Sequence, residues 1–130
     1  MKLIKQENQM GCGIACAAVI LNFSYKRTFK LFSLGKADFT GFTCKEIVDA
    51  LKRGGLDYSY KYIKPRLKNI IYKEDTIVFI QRSNKYKHGH YLVRGRNIWM
   101  DPWINFPNAN RRSGFRKRLP GKSIYVIFSN

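Results

Sequence analysis

Apolar and polar positions along the chain follow two regimes that change over near residue 55. From Ile14 to Leu21 the residues are apolar nearly all round, the pattern of a helix buried on most sides. Asn22 to Tyr25 ends that run, and Thr28 can cap a short helix over 29–34 that Gly35 stops. Lys36 to Phe42 carries no period and reads as loop. Thr43-Cys44-Lys45-Glu46 is a capping box, a hydroxyl followed three residues later by a carboxylate. It opens a helix in which Cys44, Ile47, Val48 and Leu51 recur at helical spacing and which Gly54-Gly55 closes.

Beyond Gly55 the period shortens to two. Tyr58 to Ile63 alternates as a strand would, and Pro65 ends it. The segment 70–75 is compatible with a helical turn or a loop. Thr76 to Arg82 is a buried strand, His90–Arg94 and Ile98–Asp101 form the two arms of a hairpin, and Ser123 to Phe128 makes a final strand. Helices first and strands afterwards predict an α+β fold, N-terminal helices packed on a C-terminal antiparallel sheet. With no repeat, linker or low-complexity segment to divide them, residues 1–130 are expected to form a single domain.

A length of 130 residues with 45% hydrophobic and 15% aromatic content is enough to bury a core without staples. Met1 to Lys5 has no long apolar region behind it, so no signal peptide is expected, and the run 14–21 is too short to span a bilayer. Three cysteines, two of them four residues apart on one helix, argue against a disulfide framework and for a reducing, cytoplasmic compartment. The formal charge of +17 is extreme for this size and implies affinity for a polyanion. Its densest part is the stretch from Asn108 to Lys122, where Arg111, Arg112, Arg116, Lys117 and Arg118 surround Phe115 with no acid among them. Such a loop can neutralise phosphates and stack bases, although no motif that reads duplex DNA accompanies it.

The candidate chemistry begins at Gln6-Glu7-Asn8-Gln9-Met10-Gly11-Cys12-Gly13. Gly11 and Gly13 bracket Cys12, letting the backbone turn and another group approach. Cys12 then falls at a helix N-terminus, where unpaired N–H groups and the macrodipole favour thiolate over thiol. The chain has two histidines, His88 and His90, on the same face of one strand. If Gly95-Arg96 forms a two-residue turn, Arg94 pairs with Asn97 and His90 faces Asp101, with Cβ atoms about 4.5–5.5 Å apart. His88 would then face Trp103. A three-residue loop would instead set Asp101 opposite Tyr91, on the wrong side. An imidazole held by a carboxylate has a fixed tautomer and a stabilised charged form.

Glutamine, five intervening residues and Cys-Gly-x-x-Cys opening a buried helix, followed by Gly89-His90-Tyr91-Leu92-Val93 and Asp101-Pro102, resembles the papain-like cysteine peptidases. The likeness is to the bacteriocin-processing group, which removes double-glycine leader peptides. That resemblance implies a papain-like fold and a peptide or protein substrate. It implies Cys12 as nucleophile, His90 as base, Asp101 as its orienting acid, and an oxyanion hole from the Gln6 amide and the Cys12 N–H. No cofactor is implied. Gln9 competes for the oxyanion role but lies close to the helix start. Cys16 and Cys44 read as core. Cys12, Cys16, His88 and His90 match no standard zinc spacing, so no metal is expected. The competing reading keeps the scaffold without the chemistry: a basic structural or nucleic-acid-associated protein, part of a larger assembly such as a virus particle.

Overall fold

A computed structural model describes residues 1–33, 35–86 and 88–130. Helix α1 spans Cys12–Leu21, α2 Tyr25–Phe29 and α3 Cys44–Arg53. They are followed by strand β1 (Tyr58–Tyr62), a 3₁₀ segment (Pro65–Tyr72), β2 (Ile77–Gln81), β3 (His90–Arg94), β4 (Trp99–Asp101), β5 (Gly114–Arg116) and β6 (Lys122–Ser129). The strands form one antiparallel sheet in the order β1-β6-β2-β3-β4-β5.

Side chains of alternating parity feed two cores. Ile77, Tyr91, Val93, Met100 and Ile127 pack with the helices around Ile14, Ala15, Ile47 and Leu51. Val78, Ile80, Leu92, Trp99 and Val126 pack on the other face, beneath Ile71 of the 3₁₀ segment. With both faces covered, the central strands β2 and β3 read as nearly continuous apolar runs, as buried strands do. Helix α1 is buried almost all round because α2, α3 and β3 enclose it. It stops where Asn22 takes a left-handed conformation and its N–H bonds back to Ala18 and Val19. Helix α3 carries the predicted capping box, with Thr43 and Glu46 each bonded to the other's backbone N–H.

Three local expectations need correction. The second helix starts earlier than predicted: Ser24 caps it, its hydroxyl accepting from the Arg27 N–H at 3.1 Å. Thr28 therefore lies in the last turn of α2, donating to the Ser24 carbonyl at 2.9 Å, and the predicted helix over 29–34 does not form across its described residues. Leu34 lies outside the described residues. The hairpin between β3 and β4 closes through four residues, 95–98, with the Gly95 N–H on the Ile98 carbonyl, so Arg94 pairs with Trp99 and Val93 with Met100. Asn97 adopts a positive φ of 57° in that loop, a left-handed conformation that asparagine tolerates better than most residues. Finally, the stretch read as a basic loop contains β5, paired with β4 through Trp99–Arg116, Met100–Phe115 and Asp101–Gly114.

Candidate active site

The thiol of Cys12 belongs to the first residue of α1, and no side chain caps the helix at Gly11. Its sulfur therefore sits beside backbone N–H groups that lack helical partners. Close packing holds it there. A Cβ at Gly11 would fall on the Tyr25 hydroxyl, which donates to Asn8 Oδ1 at 2.7 Å. A Cβ at Gly13 would lie 2.9 Å from Ile47 Cδ1. The two glycines that mark the cysteine in the sequence are thus where α2 and α3 approach the helix start.

His90 is the first residue of β3, at the end of the strand that packs against α1. Its Nε2–H donates to Asp101 Oδ1 at 2.7 Å, leaving Nδ1 as the ring nitrogen available to Cys12. The hairpin register is two residues away from the one predicted, and a shift of two preserves the face. His90 and Asp101 consequently meet as diagonal rather than directly opposed neighbours. Asp101 is fully buried and its oxygens are well used: Oδ1 also accepts from the Trp103 N–H at 2.9 Å, and Oδ2 accepts from Arg116 Nε at 2.8 Å.

These contacts set the ionisation of the site. Burial alone would push the Asp101 carboxyl up, but the His90 bond and charge, the Trp103 N–H and Arg116 outweigh it and hold it at about 2. Burial likewise opposes charge on His90, yet hydrogen bonding and attraction to Asp101 and Cys12 leave it above an ordinary histidine. Burial would raise the Cys12 thiol, while the hydrogen bond and charge of His90, the Tyr91 N–H and the charge of Arg82 bring it below an ordinary cysteine. Both shifts favour a thiolate–imidazolium pair. Cys16, one turn deeper, is raised well above the usual range, chiefly by burial, and stays a neutral core thiol.

Gln6 is buried, and its backbone N–H donates to the Pro102 carbonyl at 3.2 Å, joining the N-terminal segment to the Asp101-Pro102 turn. Arg111 reinforces the junction, donating from Nε to the Gln6 carbonyl at 3.2 Å and from Nη2 to the Glu7 carbonyl at 2.9 Å. Its guanidinium lies 5.4 Å from the Trp103 ring. The Gln6 amide donates to the Gln9 carbonyl at 2.8 Å and the Asn8 carbonyl at 3.2 Å, while Oε1 is buried with no partner among the described residues. Gln9 enters the region through its carbonyl and lines one adjoining cleft.

Two clefts meet at Cys12. The larger, about 930 Å³, is walled by Phe42, Tyr60, Phe79, Tyr91 and Tyr125. The smaller, about 480 Å³, is bordered by Gln6, Arg82, Lys85, His90, Trp103 and Phe106. His88 is exposed and lies on the rim of both. Cys44 faces the larger cleft with its sulfur 3.7 Å from the Tyr91 hydroxyl, and burial raises its thiol.

Of the basic residues expected to meet nucleic acid, Arg111 and Arg116 instead make the internal contacts just described. Arg112, Lys117 and Arg118 are exposed. Arg116 as the second partner of Asp101, and Arg82 beside Cys12, were not legible as site residues. The signal for Arg116 was an arginine within reach of an added strand beside Asp101; for Arg82 it was a cation ending a buried strand that leads toward His90.

The model of the peptidase C39 family matches residues 1–114. Among solved structures, the chain resembles the peptidase domain of Streptococcus ComA, described as a bifunctional ABC transporter involved in a quorum-sensing pathway. The TM-score is 0.59 at 20% identity, over 98% of this chain and 96% of that one. The peptidase domain of Streptococcus mutans ComA matches with a TM-score of 0.51 at 20% identity, over 98% of each chain. Both likenesses carry the fold, helices followed by an antiparallel sheet in the papain-like arrangement. No curated protein sequence gives a significant match. Among the described residues no helix is long and apolar enough to cross a membrane. The match over most of its length makes this chain a member of the peptidase C39 family, a cysteine peptidase domain.

Proposed function

We propose that the chain hydrolyses a peptide bond with Cys12 as nucleophile, His90 as acid and base, and Asp101 as the group that orients His90. The observation that carries the reading is the 2.7 Å bond from His90 Nε2 to a fully buried carboxylate, which leaves Nδ1 for a thiol at a helix start. The thiolate forms a C–S bond to the scissile carbonyl carbon as the π pair moves to oxygen. On collapse the C–N bond breaks, and Nδ1–H of the imidazolium delivers its proton to the leaving amine. Water then gives a proton to Nδ1 and attacks the thioester, and the thiolate leaves. Asp101 stays ionised throughout.

The Cys12 N–H and the Gln6 amide are suited to the developing oxyanion; one such donor is typically worth about 10²–10³ in rate. Both Gln6 amide protons are engaged by carbonyls, so in this reading the longer, 3.2 Å bond to Asn8 gives way as the oxyanion forms. Cleavage of a quenched fluorescent peptide, monitored with Cys12→Ala and His90→Ala alongside the parent, tests the assignment. Both substitutions are expected to abolish turnover. Undiminished hydrolysis by Cys12→Ala refutes it.

A further inference from the structure

We propose that the smaller cleft is an anion subsite on the leaving-group side of the scissile bond, in which Arg82, assisted by Lys85, selects a peptide carrying a carboxylate. The inference rests on the proposed peptidase chemistry for its orientation. A general acid must border the group it protonates, and His90 lines the smaller cleft but not the larger. The departing amine therefore occupies the smaller cleft, with the acyl half of the substrate along the aromatic walls of the larger.

Arg82 is the reason to assign a charge to that half. Its guanidinium lies 4.0 Å from the Phe106 ring, and Phe106 in turn packs edge-on against Tyr86 and Trp103, each ring pair 4.9 Å apart. The aromatic wall holds the guanidinium in place by cation–π attraction. Its Nη2 is buried and meets no acceptor among the described residues. A buried charged donor without an acceptor is costly to leave so. A carboxylate is the group a guanidinium fork takes best.

Nearby acids do not satisfy it. None of the described residues lining this cleft is acidic. Asp101 attracts Arg82 at a distance, but its oxygens accept from His90, Trp103 and Arg116. Lys85, exposed at the cleft mouth, adds a second positive charge. In the larger cleft, by contrast, Glu46 already answers Lys36. The carboxylate could belong to an acidic side chain near the start of the leaving fragment or to a short fragment's own C-terminus.

The test measures binding of leaving-fragment mimics to Cys12→Ala protein by tryptophan fluorescence, Trp103 being part of the cleft wall. One arm compares Ala-Glu amide and Glu-Ala amide with their glutamine counterparts. The other compares Ala-Ala with a free carboxylate against Ala-Ala amide. A preference of about tenfold or more for the acid is expected in one arm, which names the source, equivalent to about 1.4 kcal/mol. Arg82→Gln should erase the preference while leaving the affinity for the neutral mimics in place. Arg82→Lys should retain part of it, and Lys85→Gln should reduce it. Equal affinity for acid and amide in both arms, or a preference that survives in folded Arg82→Gln, overturns the proposal. Because binding is read without turnover, failure of the peptidase assignment appears separately, as absence of hydrolysis by the parent protein.

Discussion

Replacing Arg116 with alanine removes the only side-chain cation that bonds Asp101 Oδ2 among the described residues, at 2.8 Å from a carboxylate with no exposure. A hydrogen bond to a charged group contributes about 1.5–3 kcal/mol. The Arg116 side chain is 29% exposed, so water can partly occupy the vacated space and the lower half of that range applies, about 1.5–2 kcal/mol. For a domain of this size the loss corresponds to a fall in Tm of about 5–8 °C at pH 7.

The pH dependence separates this electrostatic effect from lost packing. Asp101 is held at about 2, below its unfolded value. It stabilises the fold above the unfolded carboxylate range, and that contribution disappears as pH falls through the folded value. The Tm difference between the parent and Arg116→Ala should therefore be full at pH 6–7 and shrink steadily as pH approaches 2. Calorimetric or circular-dichroism melts across that interval, with Arg116→Lys as the charge-retaining control, measure it. A difference that stays constant down to pH 2, or one below about 1 °C at pH 7, refutes the argument that Arg116 acts through the Asp101 charge.

Two further outcomes follow from the same structure. Asp101→Asn removes the anion that holds His90 protonated against its burial; the alkaline limb of Cys12 alkylation by iodoacetamide should move to lower pH, and kcat/KM should fall by about 10²-fold. An unmoved limb would show that the carboxylate does not set the imidazole's charge. Thr43→Ala deletes one half of the capping box on α3 and should cost about 1 kcal/mol in urea denaturation at an unchanged m-value, an expectation that a midpoint within error of the parent would defeat.

The pairing of His90 with Asp101 was readable from sequence even though the turn joining their strands was not. Strand side chains repeat every two residues, so a loop of four in place of two moved the partners along the same face instead of across it. The helix start at Cys12 was readable because the glycines on either side of it mark a turn under close approach. Strand β5 was not. Three residues, Gly114-Phe115-Arg116, cannot display an alternation, and the cations around them suggested solvent. What makes them a strand is the free edge of β4, which only the assembled sheet presents. Ser24 and Thr28 are hydroxyls four residues apart and either can cap locally; the turn closing α1 selects Ser24. The internal role of Arg111 was hidden for a related reason, since its acceptors are main-chain carbonyls more than a hundred positions earlier in the chain.

The buried carboxylate of Asp101 gathers donors from residues 90, 103 and 116, and β5 supplies the last of them. During synthesis, cysteine, histidine and aspartate would all have left the ribosome before that arginine emerges. A chain halted between positions 101 and 116 would hold Cys12, His90 and Asp101 yet lack the arginine that bonds the second carboxylate oxygen. Closure of the carboxylate's donor set is thereby left to a three-residue edge strand, and loosening that edge would free Oδ2 without disturbing the helix start that carries the thiol.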